Sequence, residues 1–219
     1  VCRSDYPLDD SSKKKLSMFC NVDRDCIIES VTTDDLYQVP LRLHAQNFSG
    51  LALKKLRMEE RELDITAWTE MSVKSERAQN SKNKLKIALV GKYTEKATAY
   101  QSLTDALNTA ALLKGKAVAV TLVSSADVEK DPNILADYCA IVIAPGFGVR
   151  GFEGKVAAAK YARENNVPCL MIGLGAQAGL VEFARDVCHM TGATSQEFEQ
   201  NTPYPVVCFV EPNMLKKGA

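Results

Sequence analysis

The chain has 219 residues, 46% hydrophobic and 25% charged, an ordinary globular balance with room for one large domain or one domain and part of another. Lys plus Arg (27) equals Asp plus Glu (27), which removes any electrostatic argument for nucleic acid or an anionic membrane as a partner. No apolar run approaches the roughly 18 residues of a membrane span.

The first stretch, VCRSDYPLDD, has neither an initiator Met nor the apolar core of a signal peptide, so the chain reads as part of a cytoplasmic protein. SMFCNV reads as a strand, CIIESVTTDDLYQVPLRL as a strand followed by a turn or short helix, and Leu51 to Met58 as part of a helix. Residues 59–83 turn polar and charged, as expected of a linker with a helical portion anchored by Trp68. LKIALVG (85–91) is a strand, and Thr98 to Lys114 carries Leu103, Ala106, Leu107, Ala110 and Leu113 at helical spacing before Gly115. The expected order then runs AVAVTLV strand, short helix at 132–137, CAIVIA strand, helix 154–165, VPCLMI strand, helix from Ala176 to His189, and YPVVCFV strand at 204–210.

Short β-branched strands alternating with helices imply parallel βαβ units with right-handed crossovers. Ligands of such sheets bind at the carboxyl ends of the strands, which places APGFG and IGLGAQ on one rim. The seven cysteines (Cys2, Cys20, Cys26, Cys139, Cys169, Cys188, Cys208) are scattered, lack CxxC spacing and several sit in apolar runs. Buried reduced thiols are expected, with no zinc site and no disulfide. His44 and His189 are the two neutral-pH bases in the chain.

With both rim loops in place, the chain resembles the CTP synthase family. CRSDYPLDDSSKKKLSMFCNV with LYQVPLRL is similar to the end of that family's synthase (amidoligase) domain, and KIALVGKYTEKATAYQSLTDAL to the opening of its glutamine amidotransferase domain. APGFGVRGFEGKVAAAKYAREN, PCLMIGLGAQ, VEFARDV and GATSQEF…TPYPVV resemble the amidotransferase signatures in order and spacing. The resemblance implies an α/β fold. Its core is a parallel doubly wound sheet of the class I glutamine amidotransferase (flavodoxin-like) type, preceded by the tail of a P-loop-like α/β synthase domain. The implied bounds are 1–58 for the synthase part, 59–83 for the linker and 84–219 for a C-terminally truncated amidotransferase part.

The resemblance also implies chemistry. The family amidates UTP to CTP with ATP and Mg²⁺, using ammonia released from glutamine under GTP activation, and works as a tetramer. A homotetramer, or co-assembly with active CTP synthase, is the expectation here. The family elbow reads PxLGICLGMQ; this chain has Met171 for the first Gly, Gly173 where the nucleophilic Cys belongs and Ala176 for Met, while Leu174, Gly175 and Gln177 match. The preceding loop of the family reads PGGFGxRGxEG, and Ala144 and Pro145 replace its first two residues. Gly146 falls at the oxyanion and glutamine-binding glycine, and Glu197 at the glutamate that holds the substrate amino group. Glutamine contacts are thus implied for Gly146, Leu174, Gly175, Ala176, Gln177 and Glu197. Nucleotide contacts are implied for Lys15 and for Val31, Thr32 and Thr33, although VTT replaces the family's KDV or HDV. The phosphate loop, metal-binding acids and triad His–Glu pair of the family match nothing in this chain.

Read from the residues alone, Gly173 is equally a turn glycine, Glu197 and Lys13 to Lys15 solvated charges, Gly146 and Gly148 packing glycines, and His189 an ordinary helix residue. The chemistry is more decisive. Hydrolysis through a thioester needs an activated thiolate, and losing a nucleophile costs on the order of a millionfold in rate in subtilisin. Cys169 stands about 13 Å up the strand and Cys188 about 18 Å along the helix, so neither replaces it.

Overall fold

The computed structural model describes residues 1–210, the side chain of Ala97 excepted, and the last nine residues of the predicted amidotransferase segment lie outside that range. The chain forms two compact units, Val1–Lys82 and Asn83–Ala219.

In the first unit, β1 (Cys2–Ser4) pairs in parallel with β2 (Glu29–Val31), Cys2 opposite Glu29. Between them runs helix α1 (Asp10–Cys20), which corrects the strand expected at SMFCNV. The reason lies upstream: the Asp9 carboxylate accepts the Ser12 N–H at 2.7 Å and starts the helix, and Asn21 ends it in the left-handed region. Helices α2 (Gln38–Ala45), α3 (Phe48–Leu56) and α4 (Thr66–Gln79) follow. Trp68 is not the anchor of α4, being 45% exposed. The buried Ser75 takes that part, its hydroxyl donating to the buried Asp35 carboxylate at 3.0 Å.

The second unit is built on a four-stranded parallel sheet of order β4-β3-β5-β6, formed by β3 (Leu85–Gly91), β4 (Val118–Ser124), β5 (Ala140–Ile143) and β6 (Cys169–Met171). Its alternating side chains feed two cores. Ala88, Val90, Ile141 and Ile143 pack with Ala158, Ala159 and Ala162 of α7 (Phe152–Glu164) on one face. Ile87, Leu89 and Val142 pack with Leu103 and Leu107 of α5 (Gln101–Leu113) on the other. The sheet is therefore doubly wound, as the βαβ reading requires.

Other expectations need correction. A helix α6 (Ser125–Lys130) precedes the expected 132–137 helix, which is a 3-10 turn at Pro132–Leu135. The helix placed at 176–189 is α8 (Leu174–Glu182), starting two residues earlier and continuing as a π turn, Phe183–Val187. His189 lies beyond it at φ 57°. YPVVCFV contributes only β8 (Pro205–Val207), paired in parallel with β7 (Thr194–Ser195) outside the main sheet. The thiols are free but not buried: Cys20, Cys139, Cys188 and Cys208 are exposed and the other three half-buried. Apolar neighbours misled here because these cysteines sit at element ends or on an exposed helix. Among the described residues no helix is long and apolar enough to cross a membrane.

Three ion pairs bind α7 to the α8 region. Glu153 pairs with Arg185, Lys160 with Asp186, and Arg163 reaches one oxygen of the buried Glu182 through Nε and Nη2 at 2.9 and 2.7 Å. They fix the helix that starts at the elbow.

Candidate functional site

The elbow is the turn from β6 into α8. Ile172 extends the sheet ladder, donating to the Ile143 carbonyl at 3.0 Å. Gly173 then takes φ 55°, ψ −117°, a combination that a side chain adopts only under strain. Its carbonyl accepts the N–H groups of Ala176 and Gln177, at 2.9 and 3.1 Å, and starts the helix. Gly175 is required for another reason. A Cβ there would collide with the Ile143 carbonyl, so only glycine lets α8 lie this close to β5.

The glycine loop after β5 faces the elbow. A Cβ at Gly173 would stand 3.2 Å from the Pro145 Cβ, and one at Gly146 3.8 Å from the Leu174 Cδ2. Leu174 opens α8, so its N–H has no acceptor within the helix. The Glu197 carboxylate accepts the Gly148 N–H at 3.1 Å, tying the segment after β7 to the loop. Gln177 carries a buried Oε1 with no hydrogen-bond partner among the described residues, and Ala176 is half-buried beside it. The six residues expected at a glutamine site are thus carried by the elbow, the facing loop and the turn that Glu197 joins to it.

No side-chain nucleophile stands at the tip. The half-buried Cys169 moves further from that role, because burial pushes its thiol up to about 11, whereas a reactive thiolate needs the opposite shift.

Two lysines passed over by sequence reasoning hold the loop from behind. Lys155, wholly buried on α7, donates to the carbonyls of Ala144 and Pro145. Lys92, which follows β3, donates to the Phe147 carbonyl. Burial first, and the Lys92 charge second, push the Lys155 amine down to about 8. A signal existed: Lys155 lies at i, i+3, i+4 and i+7 with Ala158, Ala159 and Ala162, all buried.

The expected nucleotide residues lie in the first unit and are not gathered into a site. Lys15 is exposed on α1. Thr32 donates to Asp5 at 2.6 Å and accepts from Arg3 at 2.9 Å, Thr33 accepts the Asp35 N–H at 3.3 Å, and Val31 ends β2. Lys13, not Lys15, is the paired lysine, held by Glu29, whose carboxyl its ammonium keeps below the ordinary range. No group of three His, Cys, Asp or Glu among the described residues could hold a metal ion. Lys15, Val31, Thr32 and Thr33 do not by themselves form a site for ATP–Mg²⁺.

A parallel doubly wound sheet with a strand–turn–helix elbow facing a glycine loop defines a class I glutamine amidotransferase type of domain. The family model "Glutamine amidotransferase class-I" matches residues 98–205, and "CTP synthase N-terminus" matches residues 1–58. The chain belongs to the CTP synthase family. It is 39% identical over 209 residues to CTP synthase of Desulfitobacterium hafniense (strain Y51), covering 94% of this chain and 39% of that protein. To CTP synthase of Lactococcus lactis subsp. lactis (strain IL1403) it is 42% identical over 209 residues, covering 94% and 38%. The chain therefore spans about two-fifths of the length of these relatives. The glutaminase domain of Trypanosoma brucei CTPS, solved with bound acivicin, is 30% identical at a TM-score of 0.55, covering 58% of this chain and 50% of that one.

Proposed function

We propose that the protein is a cytoplasmic ligase of pyrimidine nucleotide biosynthesis that amidates UTP to CTP with ATP and Mg²⁺, and whose glutaminase half no longer hydrolyses glutamine. The observation that carries the second clause is Gly173 at the tip of an elbow that keeps its turn. Glycine cannot form a thioester. Ammonia must then come from solution or from an active partner subunit in a homotetramer or a mixed assembly with active CTP synthase. GTP would have no hydrolysis to activate.

A second reading is a non-catalytic member of the family that regulates or scaffolds the active enzyme. It shares the Gly173–Pro145 rim with the first reading and differs from it only in whether the synthase half is active. One experiment separates the readings. The full-length protein is assayed for CTP formation from UTP and ATP with ammonium chloride, and separately for glutamate release with and without GTP. Ammonia-dependent CTP formation without glutamate release supports the first reading, and neither activity supports the second. Glutamate release above buffer overturns both.

A further inference from the structure

We propose that Lys155 and Lys92 are positioning residues of the loop 144–148: they hold its carbonyls on the inner side and so turn the N–H groups of Gly146 and Gly148 outward. The inference rests on loop geometry and stands whether or not the elbow hydrolyses anything.

The peptide bond decides the orientation. There is no cis peptide among the described residues, and in a trans peptide the C=O of one residue and the N–H of the next point in opposite directions. The Pro145 carbonyl accepts from Lys155 at 3.2 Å, so the Gly146 N–H points away from Lys155. The Phe147 carbonyl accepts from Lys92, so the Gly148 N–H points away from Lys92. The second case checks itself, because the Gly148 N–H donates to the Glu197 carboxylate on that far side. Lys155 also takes the Ala144 carbonyl, where Pro145 has no N–H to present. Three carbonyls therefore face two ammonium groups, and both glycine N–H groups face outward.

Lys92 also lies over the Tyr93 ring, 5.3 Å from its centroid, whereas Lys155 has only the loop to hold. Lys155 is wholly buried, and its hydrogen-bond acceptors among the described residues are the two loop carbonyls, with no carboxylate. A buried ammonium is costly unless its hydrogen bonds are made, so it holds those carbonyls firmly. The nearness of the two lysines is seen at Gly146, where a Cβ would lie 3.4 Å from the Lys92 Cε and 3.5 Å from the Lys155 Nζ. An outward N–H at Gly146 is the donor that a developing oxyanion needs. The reverse orientation would present a carbonyl there instead.

Amide hydrogen exchange on the full chain, labelled with ¹⁵N-glycine, tests this. The chain has 12 glycines, few enough to resolve. In Lys155→Met and in Lys92→Met, Gly148 is expected to exchange roughly tenfold faster, the fold-change for losing one net hydrogen bond, while Gly175 and Gly179, bonded within α8 and its first turn, keep their rates. Lys155→Arg, which retains donors, is expected to restore the Gly148 rate. Gly148 exchange within twofold of wild type in both Met variants overturns the proposal, as does failure of Lys155→Arg to restore it. If Lys155→Met unfolds the domain, seen as free exchange at Gly175 and Gly179, the variant at half-buried Lys92, Lys92→Met, decides alone.

Discussion

A Cβ on residue 173 would lie 3.2 Å from the Cβ of Pro145, closer than side chains ordinarily pack. The two departures from the family pattern therefore fit each other: position 173 is bare where Pro145 leans over it. Gly173 at φ 55°, ψ −117° adds a backbone that resists any side chain. Gly173→Cys is expected to destabilise the second unit by about 1–3 kcal/mol in urea unfolding and to release no glutamate. Adding Pro145→Gly relieves only the contact and should recover part of that loss. A single Gly173→Cys variant that is as stable as wild type and hydrolyses glutamine would show that only a nucleophile had been removed.

Beneath the turn, Met171 and Gly179 form a second matched pair. The Met171 Sδ occupies the place that a Cβ at 179 would take. Gly179→Ala must displace the end of a flexible side chain, at a cost of about 1 kcal/mol, and Met171→Ala leaves a void costing about 2 kcal/mol at this half-buried site. The double variant should cost less than the sum, by roughly 0.5–1 kcal/mol, because the new methyl enters the vacated space. Strict additivity in denaturant unfolding would show that the two residues do not share that space.

Between α7 and α8 the energetics should be uneven. Arg163 is the ion-pair partner of Glu182, whose side chain is 4% exposed, whereas Lys160 and Asp186 are 46% and 33% exposed. Arg163→Ala leaves a buried carboxylate unpaired and is expected to cost about 3 kcal/mol. Lys160→Ala removes a solvated pair and should cost under about 0.5 kcal/mol. Equal losses in thermal or urea unfolding would contradict the burial argument.

Local pattern made the sheet legible and long-range contact did not. LKIALVG coincides with β3 to the residue, because an apolar run bounded by glycine states both ends of a strand. SMFC was misread because its helix is started by Asp9, a cap eight residues before that stretch begins at Ser17. Helix α6 is a single polar turn and a half, too short to show a period. The elbow was legible from spacing, but the Gly173–Pro145 fit joins residues 28 apart and only the folded rim reveals it. Lys155 stood in plain sight on the buried stripe of α7, overlooked because a lysine is expected to reach water.

The stability of the protein should respond to pH through the buried Lys155 and the half-buried Cys169, with opposite signs. Lys155 is held at about 8 in the fold against an ordinary 10.5, so between those values the unfolded chain binds the extra proton. Stability from this group therefore rises as pH rises from about 8 to 10.5. Cys169 is raised to about 11 from 9.0, so the folded state keeps its proton longer. Its contribution is fully present below pH 9 and is lost as pH climbs through about 11. Urea unfolding at intervals from pH 7 to 11 on wild type, Lys155→Met and Cys169→Ala separates the two. The difference between wild type and Lys155→Met should move in favour of wild type from pH 8 upward, and that between wild type and Cys169→Ala should move against wild type from pH 9 upward. A Lys155→Met difference that stays flat across that range would mean that the amine ionises in the fold as it does in water, and that its burial imposes no electrostatic cost.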